Sequence, residues 1–200
     1  MPIGLQFGPT AGELRVQGPS AVRDPDTRQL LNRAAGLKVL PEATLALVGS
    51  NVALSSAILT TDGGRIELGS VAGSGLVSLT PIDKGWFLGY DGVQNFGDIK
   101  LSQGSAVDAS GAGGGDIKVQ GRRVMLTESS QIAATTTGAE PGGTLAVTAS
   151  DSVELIGYTP FGVLTTQTRG DGDAGDIKIN TGKLIAQNGA YVSTVTNSRK

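Results

Sequence analysis

Cysteine and histidine are both absent from this 200-residue chain. Without cysteine no disulfide can staple the fold, so stability has to come from packing. The absence says little about compartment, since oxidising compartments permit disulfides without requiring them. Without histidine the commonest general base and the commonest zinc ligand are missing together. Aromatic residues make up only 4%, which excludes a broad core filled by rings and leaves a narrow aliphatic one. The net charge of −2 supplies no basic patch for nucleic acid. No apolar run approaches the roughly 20 residues that cross a bilayer as a helix. Met1-Pro2-Ile3-Gly4 has neither the basic nor the apolar region of a signal peptide. The sequence stops at Asn197-Ser198-Arg199-Lys200, just after a strand-like stretch and without the polar cap that a repeat fold needs. The expectation is a fragment of a longer protein or a truncated reading frame.

What is present in excess is glycine, at 31 residues, and a phrase that returns. Residues 97–101 read GDIKL, 115–119 GDIKV and 175–179 GDIKI, with looser copies GTLAV at 143–147 and GRIEL at 64–68. Recurrence of this kind is the mark of a repeat architecture. The spacing between copies is uneven, which excludes a regular helical-hairpin array. Strands that stack on one another and are joined by loops of free length fit both the fixed phrase and the uneven spacing, because added loop length costs little. The reading is all-β: a parallel β-helix of about six irregular three-strand coils, its strands stacked about 4.8 Å apart.

Side chains at i and i+2 of a strand share a face. Ile66/Leu68, Ile99/Leu101, Ile117/Val119, Leu145/Val147 and Ile177/Ile179 are therefore expected inward as one pair of ladders, with Leu45 upstream. Glu67, Lys100, Lys118, Ala146 and Lys178 are expected in water, the lysines stacked and offset by Asp98 and Asp116. A second set of strands offers Val52/Leu54, Val124/Leu126 and Val153/Leu155. A third offers Leu59/Thr61, Val107/Ala109, Ile132/Ala134, Leu164/Thr166 and Val192/Thr194. The whole of 1–200 reads as one β-helix segment, with irregular opening strands and a possible short helix in 1–43 and repeated coils over 44–200. The helix is expected in 26–36, capped by Asp26 or Thr27, ended by Gly36 and apolar through Leu30, Leu31, Ala34 and Ala35; as a loop excursion it would pack on the flank of the coils. The coil from Ile66 is expected to continue with LVSL at 76–79 and then carry an insertion at 81–97. The turns GAGGGD, GAEPGGT and GDGDAGD are expected to use glycine for positive φ.

TLALVGSNVALSSAILTTDGGRIELGSVA (44–72), GWFLGYDGVQNFGDIKLSQGSAVDASGAGGGDIKVQGRRV (85–124) and GDAGDIKIN (172–180) closely resemble filamentous haemagglutinin-like proteins of cyanobacterial type, which are two-partner-secretion exoproteins. The resemblance is strong over 44–124 and looser over 1–40. It implies a right-handed parallel β-helix, export by an outer-membrane transporter partner, and a place outside the cell or on the outer-membrane surface. The family's secretion domain carries NPNG- and NPxGI-like turns, and neither occurs here. An internal β-helix segment is therefore expected, with the secretion domain elsewhere in the parent protein.

Chemistry-bearing clusters are few. Asp171, Asp173 and Asp176 in GDGDAGD resemble a calcium phrase, but calcium-binding β-rolls need it in tandem, so a solvated turn is expected. Arg169-Gly170-Asp171 spells an adhesive tripeptide that a Gly/Asp-rich loop also produces by chance. Polysaccharide lyases and hydrolases on β-helices need clustered carboxylates or an Arg or Lys base. The candidates Asp98, Asp116 and Asp176 with Lys100, Lys118 and Lys178 recur at matching positions, as an outward ladder would. No catalytic, metal or cofactor residue is assigned. The expected role is a non-enzymatic stalk segment of a haemagglutinin-like adhesin; the alternatives are a carbohydrate-active β-helix enzyme and a glycan-binding passenger fragment. Recognition, where it exists, should fall on what departs from the repeat. Trp86, Phe87 and Tyr90 are the candidate contacts, for example for surface glycans, joined in the aromatic set by Phe96, Tyr158 and Phe161. The competing reading makes these rings a satellite core under folded-back loops.

Overall fold

The computed structural model of the chain describes residues 3–26, 29–157 and 163–196. Those residues are all-β, with no α-helix among them. The alternating opening stretches form β1 (Gly4–Phe7) and β2 (Leu14–Gln17), and β3 (Leu37–Lys38) follows. The first repeated stretch gives β4 (Thr44–Gly49), β5 (Val52–Ser55) and β6 (Ile58–Thr60), close to the three strands expected there. Next come β7 (Arg65–Ser70), β8 (Gly75–Ile82), β9 (Gly85–Gly92), β10 (Asp98–Ser102) and β11 (Ala106–Asp108). Long and short strands then alternate: β12 (Asp116–Leu126), β13 (Gln131–Thr136), β14 (Thr144–Ile156), β15 (Leu164–Thr168), β16 (Asp176–Gln187) and β17 (Val192–Thr196).

The chain keeps returning to pair in parallel with its own earlier strands. On a first face, Leu45, Ile66, Ile117, Leu145 and Ile177 stand opposite one another in turn through β4, β7, β12, β14 and β16. On a second, β2, β5, β10 and the latter parts of β12, β14 and β16 align Leu14, Val52, Ile99, Val124, Val153 and Leu184. On a third, β3, β6, β11, β13, β15 and β17 align Leu37, Leu59, Val107, Ile132, Leu164 and Val192. The inward members form one aliphatic core, except on the end strands, where Leu37, Leu184 and the pair Val192/Thr194 expected inward are exposed because no further described strand covers them. Burying each Leu, Ile or Val contributes about 1.5–3 kcal/mol, and this replaces the missing disulfides. The result is a β-helix-like stack of parallel sheets.

Ile99 and Leu101 do not join the ladder of Ile66 and Ile117. They lie opposite Val52/Leu54 and Val124/Leu126. The copy at 64–68 already fills the first-face place of that coil, and both faces ask for the same in–out alternation. β10 is thus the middle strand of the coil that β7 begins. The lysines do not stack either: Lys100 faces Ala53 and Met125, while Lys118 faces Glu67 and Ala146. Asp98 pairs with Arg122 at 2.8 Å and Asp116 with Arg65 at 2.7 Å. LVSL is no coil strand but part of β8, which pairs antiparallel with β1 and β9, so the inserted hairpin starts before residue 81.

The helix expected over 26–36 is replaced by a single 3-10 turn at Arg33–Ala35 with no side-chain cap. Leu31, Ala34 and Ala35 are exposed; only Leu30 is buried, against Ile58 and Ala106 on the third face. Thr27 lies outside the described residues. The Asn32 side chain takes up the Val22 N–H at 2.8 Å and donates to the Ser20 carbonyl at 3.0 Å. Local side-chain bonds of this kind offer the backbone an alternative to a helix.

The glycines of the three turns are also there for another reason than the expected one. None of those in GAGGGD, GAEPGGT or GDGDAGD has positive φ. They are needed because the turns lie one on the next: a Cβ on Gly175 would meet the Gly143 carbonyl oxygen, and one on Gly142 the Gly175 amide nitrogen. The close contact is sealed by backbone bonds between turns, such as Gly172 N–H to the Gly138 carbonyl at 2.9 Å.

Candidate functional site

The largest departure from the repeat is the β8–β9 hairpin, which packs over the outward side of the first face. On β7 the outward positions are Arg65, Glu67 and Gly69, with Val71 just past its end, and Glu67 and Val71 are completely sealed from water. Val71, Val77, Leu88, Tyr90 and Val93 form a second apolar cluster, with Phe7, Trp86 and Phe96 packed at its margin. Gly69 leaves room for the Tyr90 ring, whose hydroxyl occupies the place of a Cβ there.

Glu67, expected in water, is therefore a fully buried carboxylate. Its Oε1 accepts from Arg65 Nε at 2.7 Å and from the Leu88 N–H at 3.5 Å, while Oε2 has no partner. Arg65 reaches Asp116 with its other end. Lys118, also expected in water, is half-buried: Nζ donates to the Leu88 carbonyl at 2.7 Å and lies 4.0 Å from the Phe87 ring centre and 5.1 Å from that of Tyr90. Cations over ring faces gain from the ring quadrupole. Burial holds the Glu67 carboxyl above its ordinary value, against the opposing pull of Arg65 and Lys118. Burial, and then the Glu67 charge, likewise hold the Tyr90 hydroxyl up.

The sign of the pH effect follows. The native chain takes up a proton on Glu67 at a higher pH than the unfolded chain does, so native stability falls as pH rises from the ordinary carboxylate range through the folded value. Glu67→Gln lacks that decline. Urea midpoints of the two proteins, compared from about pH 4 to about pH 8, should show the wild type losing ground to the variant as pH rises. A difference that stays constant would mean that Glu67 titrates alike in both states.

The three candidate contact residues lie together on β9 but in different surroundings. Tyr90 is 8% exposed and its hydroxyl has no hydrogen-bond partner. Trp86 is partly buried, its backbone N–H donating to Thr44 Oγ1 at 2.9 Å. Phe87 is 38% exposed and carries Arg65 and Lys118 across its ring. Phe96 sits 6.2 Å from Tyr90 between ring centres. Tyr158 and Phe161 lie outside the described residues. Asp171, Asp173 and Asp176 are all exposed. Among the described residues no group of three acidic, histidine or cysteine side chains is placed to hold a metal ion. Nor is any helix there long and apolar enough to cross a membrane.

The fold and this seat define an all-β, β-helix-like protein with a hairpin held against one flank by buried charge. The family model of the TPS, or two-partner-secretion, secretion domain matches residues 1–119, and the chain belongs to the two-partner-secretion exoproteins. Membership implies export with a dedicated transporter partner. Comparison with the curated proteins and with the solved structures returns no match. The match corrects the expectation that the secretion domain lies elsewhere in the parent. Two short turn phrases were the signal sought, whereas the matched region takes in the opening strands, the first coils and the hairpin. Glu67 was missed for a related reason: alternation puts it outside the coil, and only the neighbouring insertion could have indicated that something covers it.

Proposed function

We propose that residues 1–119 are the part of the chain that the transporter reads, and that residues 120–200 begin the stalk of a secreted, haemagglutinin-like adhesin. In this reading the chain is one continuous right-handed parallel β-helix solenoid and is non-enzymatic. One observation carries it. β1, the irregular residues 19–26 and 29–36 and the β8–β9 hairpin all fall inside the matched 1–119, whereas the strands from β12 onward continue the three ladders. A docking partner needs features that the repeat does not supply. The non-enzymatic reading is supported by the charges under the hairpin: Arg65 binds Glu67 and Asp116, and Lys118 donates to the Leu88 carbonyl, rather than being aimed at an open cleft. Trp86 and Tyr90 hold the hairpin, leaving Phe87 for contact with the transporter or with a surface glycan.

The test is export. The chain is placed behind a signal peptide, co-expressed with an outer-membrane transporter of the two-partner class, and measured in the medium. Removing 75–92 should retain the protein inside the outer membrane. Removing 144–175, one whole coil, should leave export intact. Equal export of both deletions would sink the assignment of the reading surface to the first half.

A further inference from the structure

The hairpin seat also carries a conformational device, independent of the export reading. β1, β8 and β9 form a separate three-stranded sheet, and among the described residues none of its strands pairs with a strand of the coils. β9 is an edge of that sheet, and an edge strand has backbone groups in need of partners. Coil side chains supply them. Thr44 Oγ1 accepts from the Trp86 N–H at 2.9 Å and lies 3.4 Å from the Trp86 carbonyl oxygen. Lys118 Nζ donates to the Leu88 carbonyl at 2.7 Å, and Glu67 Oε1 accepts from the Leu88 N–H at 3.5 Å. Thr44, Glu67 and Lys118 come from β4, β7 and β12, which lie side by side in the first face. They stand where a neighbouring strand would be. The hairpin is thus held by side chains and its apolar cluster, and its detachment breaks no ladder.

Glu67 is the member of this set that exchanges a proton on the acid side of neutrality. It is sealed from water and its Oε2 has no partner. Such a carboxyl is less costly to bury neutral than ionised. The charged and titratable groups facing it are Arg65 on its own strand, Asp116 and Lys118 on β12, and Tyr90 and Asp91 on β9; β4 presents only Ala46. Neither cation belongs to Glu67 alone. Arg65 also binds Asp116 at 2.7 Å, and Lys118 is engaged with the Leu88 carbonyl and the Phe87 ring. Burial therefore holds the Glu67 carboxyl above its ordinary value, with Arg65 and Lys118 opposing. Lifting the hairpin returns Glu67 to water and to that ordinary value. The closed seat binds the proton more tightly than the open one, so rising pH favours the open form. Burial depresses Lys118, which favours closure only as pH climbs toward the lysine range.

We propose that the sheet of β1, β8 and β9 is a proton-gated latch. A protonated Glu67 holds it down; once the proton passes to solvent, the ionised Glu67 lets it lift from the first face with the three ladders intact. The test is hydrogen exchange on the 200-residue chain, followed by NMR from about pH 5 to about pH 8, each amide normalised to its unstructured rate. Amides of β9 should be at least about tenfold less protected than those of β14, the mark of an opening smaller than unfolding. Their protection should fall as pH rises, by no more than about tenfold per unit, since a single proton is released. Acrylamide quenching of Trp86, the one tryptophan, should rise in step. Glu67→Gln should give level profiles. Lys118→Met keeps the stem but removes a charge that favours the ionised Glu67, so its decline should run on to higher pH. Equal protection of β9 and β14 would mean that the hairpin opens only with the whole stack, and overturns the latch. A decline that persists in Glu67→Gln assigns the gate to another group and overturns it as well. Should Glu67→Gln fail to fold, an unchanged pH profile in Lys118→Met overturns the proposal. None of these readouts involves the transporter, so the latch and the export reading fail separately.

Discussion

Ile117→Asp should lower stability by more than about 4 kcal/mol, at the far end of what single substitutions do. Ile117 is 1% exposed and stands between Ile66 and Leu145 in the first-face ladder. The change removes roughly 1.5–3 kcal/mol of burial and places a carboxylate where no cation can reach it. The proper control is Lys100→Asp, since Lys100 is exposed, and it should fall within about 0.5 kcal/mol of wild type. Lys118 will not serve, because it lies under the hairpin. Urea unfolding of the three proteins checks the result, and similar midpoints would show the face assignment to be wrong.

Tyr90→Ala should cost about 3 kcal/mol or more, as large-to-small changes of buried rings do, while Phe87→Ala should cost about 1 kcal/mol, because that ring is already part exposed. Tyr90→Phe should be neutral or slightly stabilising, since the hydroxyl it removes is buried without a partner. Amide hydrogen exchange across 75–92 separates loss of the hairpin seat from loss of the whole stack: Tyr90→Ala should release the hairpin amides first. If Phe87→Ala proves the more damaging, the rings do not pack as described.

The ladders were largely legible from alternation alone. Val52/Leu54, Ile117/Val119 and Ile132/Ala134 point inward as the i, i+2 rule requires, because a strand in this stack of parallel sheets has only one apolar side to offer the core. What alternation could not reveal was which ladder a strand joins. GDIKL and GDIKV share the same in–out pattern yet lie on different faces, and only the pairing register decides. The candidate site was legible in part. Aromatic clustering located the hairpin, but which outward residues it would cover was a matter of long-range contact. Glu67 and Lys118 read as solvent-facing because nothing within their own strands says otherwise.

The stacked glycine edge bears on how a chain of this kind can change in length. At the passage from third to first face, the turns 109–115, 137–143 and 169–175 are equally long and lie backbone on backbone. The earlier turn at that passage, 61–64, is shorter, and 109–115 still lies against it through Gly63 and Gly64. At the passage from first to second face, one coil carries the entire 71–97 excursion, while β12 and β14 run straight through with only a bulge. The long hairpin excursion leaves the stack at the first-to-second passage, while the third-to-first turns from 109 onward keep one length. The hairpin thus emerges away from the glycine edge, whose backbone-on-backbone contacts hold the turns in step along the stack.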